Sequence, residues 1–362
     1  EVVRTAAHEW SFPYLKLDFL YAAALPGVYR NPTLTRAQVL RRGMQALRQA
    51  AGEDTFLLGC GAPLGSVLGL VEAMRIGADV SGDWLPAFND IRFPFKHEPH
   101  MPSARNSINN ILTRAPLHRR WWINDPDCLL VRPNTHLTLS EVESLATAIA
   151  LTGGSLLLSD DLPALPQDRI RFARILLPVI GQTAQVLDLL TSEMPTRLRL
   201  DLEGAIGQWH VLARFNWEDT PKQWCFELQD FQLPEQGYLL HSFWDDQSFT
   251  CQPGNPVNLP PIPAHGVALL AAYPLTEAAA YAGSNLHISQ GLEVKQWQIS
   301  EGGIELELDL GRSFEGWFDL LLNQTPRSVS GEALRWQEIS KGRFRFFVQS
   351  EGIPCKISLV LG

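Results

Sequence analysis

Apolar positions change their period once along this chain. Over residues 1–195 short apolar runs alternate with stretches of helical spacing; from about Met194 onward, strict apolar/polar alternation replaces them. The first half predicts strands at Tyr14–Phe19, Phe56–Cys60, Ala73–Gly77, Trp121–Ile123 and Ser155–Leu158. Between the first two, Ala37, Leu40, Met44 and Leu47 recur on one helical face that Thr35 can cap and Gly52 can end. Further helices are predicted over Ala104–Leu112, over Glu141–Ala150 with a capping box from Ser140 and Glu143, and over Gln167–Leu177. Alternating strands and helices make parallel βα units, about five here. No GxGxxG follows any strand, so a dinucleotide-binding sheet lacks its fingerprint. The fold predicted is α/β: a partial (β/α)8 barrel, about strands 4–8, whose other strands would lie before Glu1. Its sheet should be open and C-shaped, with Leu15 and Leu17 as incompletely covered inner residues.

The later runs RLRLDLEG, HVLARFNW, KQWCFELQDF, IELELDLG, GRFRFFVQS and KISLVLG are separated by Gly, Pro, Asn and Asp. They predict an antiparallel β-sandwich, whose Trp and Phe residues form its core. The Pro-rich PVNLPPIPAHG reads as a loop leading to a strand at Val267–Ala272. The division expected is 1–193 for the barrel portion and 194–362 for the β-sandwich.

Composition narrows the function. With 45% hydrophobic and 19% charged residues the chain can bury a sizeable core. A net charge of −9 lacks the basic footprint that nucleic acid or an anionic membrane surface requires. The longest apolar run, Val267–Tyr273, is too short to span a bilayer. Five scattered cysteines without a CxxC pair read as free thiols of a reducing, cytoplasmic compartment.

Two strand ends carry candidate chemistry. Lys16 and Asp18 are two apart and share a face of their strand. Either they are an ion pair that finishes the strand, or Lys16 holds Asp18 ionised as a nucleophile. At the end of the third strand Arg75 and Asp79 flank Gly77. Asp79 either caps a tight turn or hangs over the barrel mouth, with Arg75 as a fixed fork beside it. Taken together, two carboxylates on alternate strands could flank one glycosidic bond. Other positions stay open: Trp10 as a stacking platform or a surface residue, Cys60 as a ligand or a small buried hydrophobe, the Asn124–Asp127 run as a site or a turn. Asp83 and Trp84 could form a site wall, and Asp160-Asp161 should cap the following helix. His97 and His100 are too loosely spaced for a metal pair.

The series YLKLDF, FLLGC, RIGADV and WWINDPDCLLVR, with PAHGVALLAAYPL further on, resembles the melibiase (α-galactosidase) group, glycoside hydrolase family 36 and its relative family 27. The resemblance implies barrel strands four to eight and a C-terminal β-domain. It further implies Asp18 as nucleophile and Asp79 as general acid/base, with Lys16, Cys60 and Arg75 contacting sugar hydroxyls or ordering the carboxylates, and Asp125 in support. After Cys60 the chain reads Gly61-Ala62-Pro63-Leu64-Gly65, departing from the family's Gly-rich run with an Arg. The activity implied is retaining, exo-acting hydrolysis of small oligosaccharides with terminal α-galactose, without metal or cofactor, in a homo-oligomer. The alternatives are a transglycosidase of the raffinose-synthase type and a non-catalytic carbohydrate-binding fragment.

Overall fold

The computed structural model describes residues 1–88, 91–92, 98–276, 279–300 and 302–361. Among these, the first half builds a parallel sheet in the order β1 (Tyr14–Leu17), β2 (Phe56–Gly59), β3 (Ala73–Arg75) and β4 (Ile123–Asp125). This arc of a (β/α)8 barrel has no strand paired to the outer edge of β1 among the described residues. The fifth predicted segment does continue the arc, but in two pieces. Ser155 N donates to Asn124 O (2.9 Å) beside β4, and Leu157–Leu158 then pairs with Cys128–Leu129. The break falls at Pro126, which has no N–H to give a ladder, and at Asp127, whose φ of 75° turns the chain out of the strand.

Helices cover the outer face. Helix α1 (Arg36–Ala51) begins in a capping box between Thr35 and Gln38 and stops at Gly52. It buries Leu40 and Met44 against Leu57 of β2 and Met74 of β3, and the half-buried Leu15 and Leu17 of β1 join this layer. Leu15 and Leu17 are therefore outer residues, not inner ones. Tyr14, Lys16 and Asp18, the alternate positions, face the barrel interior. Helix α2 (Ala104–Arg114) and helix α3 (Leu139–Thr152) follow. The capping box of α3 is made by Thr138 and Glu141, two residues before the predicted pair: Glu141 N donates to Thr138 Oγ1 (3.3 Å) and Thr138 N to Glu141 Oε2 (2.7 Å). Helix α4 spans Gln167–Ile175. Asp160 does not cap it; its carboxylate takes Val131 N (2.7 Å) and the Arg132 guanidinium (2.7 Å), clamping the loop after Cys128–Leu129. The fourth strand lies two residues later than predicted because Trp122, not Ile123, turns into the outer apolar layer.

The antiparallel half contains a six-stranded sheet in the order Gln247–Cys251, Tyr238–Ser242, Val267–Pro274, Gly207–Phe215, Arg197–Gly204 and Gln185–Val186. Beyond it lie two four-stranded sheets, one centred on Ser313–Leu321 and Arg343–Glu351, the other on Gly303–Leu308 and Cys355–Leu361. The Pro-rich segment is not merely a loop: Val257–Ile262 pairs with Lys222–Phe226 in a two-stranded ribbon. Such a ribbon has free edges, where Pro260 and Pro261 need no donor. Trp209, Trp224, Phe226, Phe231, Phe318, Phe344 and Phe346 are fully buried, as core residues should be. One apolar cluster runs from α2 and α3 into the β-domain, while the layer between α1 and the parallel sheet is separate from it. No helix among the described residues is long and apolar enough to cross a membrane.

Two glycines test this packing from opposite sides. Gly153, at φ 70°, ends α3, and a Cβ there would meet Gln182 O at 2.4 Å. Gly43 lies exposed in mid-helix with nothing within 4 Å of its Cβ position. Gly153→Ala should destabilise by more than ~1 kcal/mol, since strain and overpacking add. Gly43→Ala should stabilise by roughly 0.5–1 kcal/mol through helix propensity. Urea unfolding midpoints of both variants read the two signs.

Candidate active site

Register places the candidate side chains in one row. Lys16 pairs with Leu58, and Leu58 with Ala73, so two residues further on Asp18, Cys60 and Arg75 stand side by side. Arg75 in turn pairs with Asp125. All four sit at the C-terminal ends of the parallel strands, on the inner face, where barrel enzymes carry their chemistry.

Arg75 is buried and fully engaged. Its Nε lies 3.1 Å from Asp125 Oδ2, one terminal nitrogen 2.8 Å from Asp127 Oδ1, and the other 2.9 Å from Asp79 Oδ1. Burial works against its charge, but Asp125 and Asp127 outweigh that and raise its pKa above the ordinary arginine value. Asp125 is itself buried and accepts Asp127 N (2.9 Å), so its role is to hold the guanidinium. Asp127 does more: its other oxygen takes Val80 N (2.8 Å), tying the turn after β3 to the same fork. That turn is tight. A Cβ at Gly77 would meet Asn110 Cβ of α2 at 2.8 Å, and Arg114 donates to Ile76 O and Asn110 Oδ1. Asp79 emerges from it with 71% of its side chain exposed.

Asp18 is exposed and held below the usual carboxylate range. The Cys60 thiol hydrogen bond is the largest cause; burial opposes it, and Phe19 N (2.7 Å), Lys16 and Arg75 add to it. The thiol is pushed up to about 12 by burial and by the same hydrogen bond, so it stays protonated and donates. Phe19 adopts φ 53°, which turns its N–H back onto the carboxylate. Asp18, Cys60, Arg75 and Asp79 all line one open cleft of about 650 Å³, together with Phe19, Tyr21, His100, Asn110 and Arg114.

Not every predicted residue reaches this cleft. Lys16 acts on Asp18 through its charge, one turn of the pleat below it. Trp10 lies on the surface, 65% exposed and edge-on to Phe12 at 6.2 Å, away from the lining. Asp83 and Trp84 belong to a different cavity, with Asp83 against His136 (2.8 Å) and Trp84 stacked on His265 (4.4 Å). His97 lies outside the described residues. Asp127, Asn110 and Arg114 were missed; Asp127 alone left a trace in the sequence, as the second acid of the Asp-Pro-Asp turn. All five cysteines are unpaired. Among the described residues the metal-ligating types His241, Asp246 and Asp319 come together, but Arg345 spans both carboxylates (2.6 and 2.8 Å) and supplies the balancing charge.

The Cys60–Asp18 bond has a measurable consequence. Removing the donor withdraws support from the charged carboxylate, so Cys60→Ala should raise the Asp18 titration midpoint, while Cys60→Ser, which still donates, should keep it low. Carboxyl-carbon NMR through an acid titration reads this directly; an unchanged midpoint in the alanine variant would remove the thiol from the account.

No family model matches the chain. Among solved structures, α-galactosidase I from Mortierella vinacea is similar at 17% identity and TM-score 0.55, covering 75% of this chain and 70% of that one. The α-galactosidase from Saccharomyces cerevisiae, solved with raffinose, is similar at 14% identity and TM-score 0.54, covering 75% and 74%. The α-galactosidase from Thermus thermophilus, in complex with stachyose, is 34% identical over 47% of this chain but only 35% of its own length, with a TM-score of 0.38. The chain shares the fold of the fungal and yeast α-galactosidases: a βα barrel arc continued by an antiparallel β-domain.

Proposed function

We propose that this cleft belongs to a retaining, exo-acting α-galactosidase, with Asp18 as nucleophile and Asp79 as general acid/base. The observation that carries the reading is the pairing of environments. One carboxylate is kept ionised by a thiol donor, while a second, exposed carboxylate opens on the same cleft from the next strand but one. Two carboxyl groups with separate surroundings and one shared space are what double displacement at an acetal carbon needs.

In the first step an Asp18 oxygen attacks the anomeric carbon as the glycosidic bond breaks, and Asp79 gives its proton to the departing oxygen. In the second, Asp79 takes a proton from water, whose oxygen displaces Asp18 and frees the sugar. Arg75 meets Asp79 through Oδ1 only, so the second carboxyl oxygen is open to the leaving group. A sugar hydroxyl could accept a hydrogen bond from that terminal nitrogen on binding, with Arg75 still held by Asp125 and Asp127. Arg75, the cation beside both carboxylates, is balanced by three acids, and Arg114 is turned to Ile76 O and Asn110 Oδ1, which suits a neutral polyol such as a terminal galactoside. The fold shared with α-galactosidases, one of them solved with raffinose, favours that substrate class.

Kinetics separate the two roles. Asp18→Asn should lower turnover of aryl α-galactosides by ~10⁴-fold or more while leaving the fold intact, because the covalent route is lost. Azide should restore cleavage of an activated aryl galactoside by this variant and give the β-azide. Asp79→Ala should cost far more with raffinose, whose leaving group needs a proton, than with a nitrophenyl galactoside, whose does not. Equal losses across leaving groups would remove the acid/base assignment; near-normal turnover by Asp18→Asn would remove the nucleophile.

A further inference from the structure

A cavity larger than the cleft lies apart from it and shares no residue with its lining. It is a groove of about 800 Å³ between α4 and the four-stranded sheet that contains Ser313–Leu321, Ala333–Ser340 and Arg343–Glu351. Gln167, Arg171 and Arg174 line it from α4; their i, i+4, i+7 spacing puts them along one helical face. Arg312 and Arg335 line it from the opposite side.

Of these arginines, Arg171 feels the carboxylate of Glu143, while Arg174, Arg312 and Arg335 form no ion pair among the described residues. Arg312 donates to three backbone carbonyls, Leu177 O (2.8 Å), Ser313 O (2.9 Å) and Leu286 O (3.1 Å), and to no carboxylate. Burial first, and then the neighbouring Arg174, push its pKa down against the opposing charge of the buried Glu293, so two like charges meet there. Arg335 stacks its guanidinium on the Phe347 ring at 4.0 Å, which fixes the plane and leaves its N–H edge free. The groove's two acids, Glu315 and Glu351, form no ion pair with these arginines among the described residues. Arg345, just beside the groove, shows the contrast: Asp246 and Asp319 both pair with it.

Two aromatic rings there carry an arginine. Arg345 covers one face of Trp317 at 3.4 Å and Arg335 one face of Phe347 at 4.0 Å. What the groove presents is a set of oriented N–H edges on a protein whose net charge is −9. Converging arginine forks bind carboxylate and phosphate oxygens in paired hydrogen bonds.

We infer that this groove is a binding site for a small organic anion bearing two or more carboxylate or phosphate groups, held between Arg174 and Arg312 with Arg335 closing the far side. The charge repulsion between Arg174 and Arg312 is relieved when the anion enters, so binding stabilises the native chain.

The test titrates the full chain with inorganic pyrophosphate and, separately, with citrate at low ionic strength, by calorimetry and by thermal shift. Saturable binding tighter than about 1 mM is expected for at least one anion, with a rise in melting temperature that grows with ligand concentration. Arg174→Gln and Arg335→Gln each should weaken it by about tenfold or more, as loss of a charged fork contact does. Neither side chain donates a hydrogen bond among the described residues, but Arg335→Gln gives up the stack on Phe347 and Arg174→Gln removes a like charge beside Arg312. Each variant's ligand-induced shift is therefore read against its own ligand-free melting temperature; Arg312→Gln, which also releases three carbonyls, is the less clean variant. Binding of pyrophosphate alone would assign phosphate esters, and of citrate alone carboxylates. No saturable binding of either anion, or affinities within twofold of the parent in both glutamine variants, would overturn the site.

Discussion

A buried guanidinium cannot be left without partners, and in this chain the demand of Arg75 organises everything around the barrel mouth. It stands at the end of β3, on the inner face, and its planar fork meets three carboxylates, one from the end of β4 and two from turns. Asp125 and Asp127 both belong to the Asp-Pro-Asp break that ends β4, so the irregularity that interrupts the sheet is the same one that delivers the counter-charges. Truncating either acid would leave a buried cation underpaired, a loss of about 3–5 kcal/mol in comparable cases. The cost is also geometric. Asp127 holds Val80 N as well as Arg75, so the turn that presents Asp79 is anchored through the same carboxylate.

The other half of the cleft depends on strand alternation. In β1 the half-buried Leu15 and Leu17 turn to α1, and this commits Lys16 and Asp18 to the interior regardless of their own preference. Apolar burial thus sets which way the charges point, and parallel register with β2 sets what they meet. Cys60 arrives beside Asp18 because its strand carries Leu57 outward into the same apolar layer. A thiol whose ionisation is suppressed by burial is a dependable donor, and the neighbouring carboxylate is the group that gains from it.

What could be read from the sequence follows from how local each signal is. The α1 cap at Thr35, its stop at Gly52 and the alternation of RLRLDLEG are properties of a few adjacent residues, and the fold uses them as written. Asp18, Cys60, Arg75 and Asp79 were legible because each ends an apolar run. The misses have the opposite character. Leu15 and Leu17 were given the wrong face because alternation shows that two faces differ, not which of them the helix covers. Thr138 and Ser140 both precede an acid at the capping distance, and helix length decided between them. The part played by Asn110 and Arg114 is set by how closely α2 approaches Gly77, a distance that no spacing in the sequence encodes.

The two cavities use the same side chain to opposite ends, and that difference bears on what each can bind. Arg75 is saturated by three carboxylates, so an incoming anion would meet acids it must displace, whereas a hydroxyl needs only one of the guanidinium's donors. Arg312 and Arg174 are held in place by backbone carbonyls and by a helix, and neither forms an ion pair among the described residues. A neutral ligand in that groove would leave their repulsion standing, while an anion removes it. On an acidic chain the long-range field disfavours anions everywhere, so a site for one must be built from local, unbalanced cations. The balance at Arg75 in the cleft and at Arg174 and Arg312 in the groove, rather than the net charge of the protein, therefore bears on what each can bind.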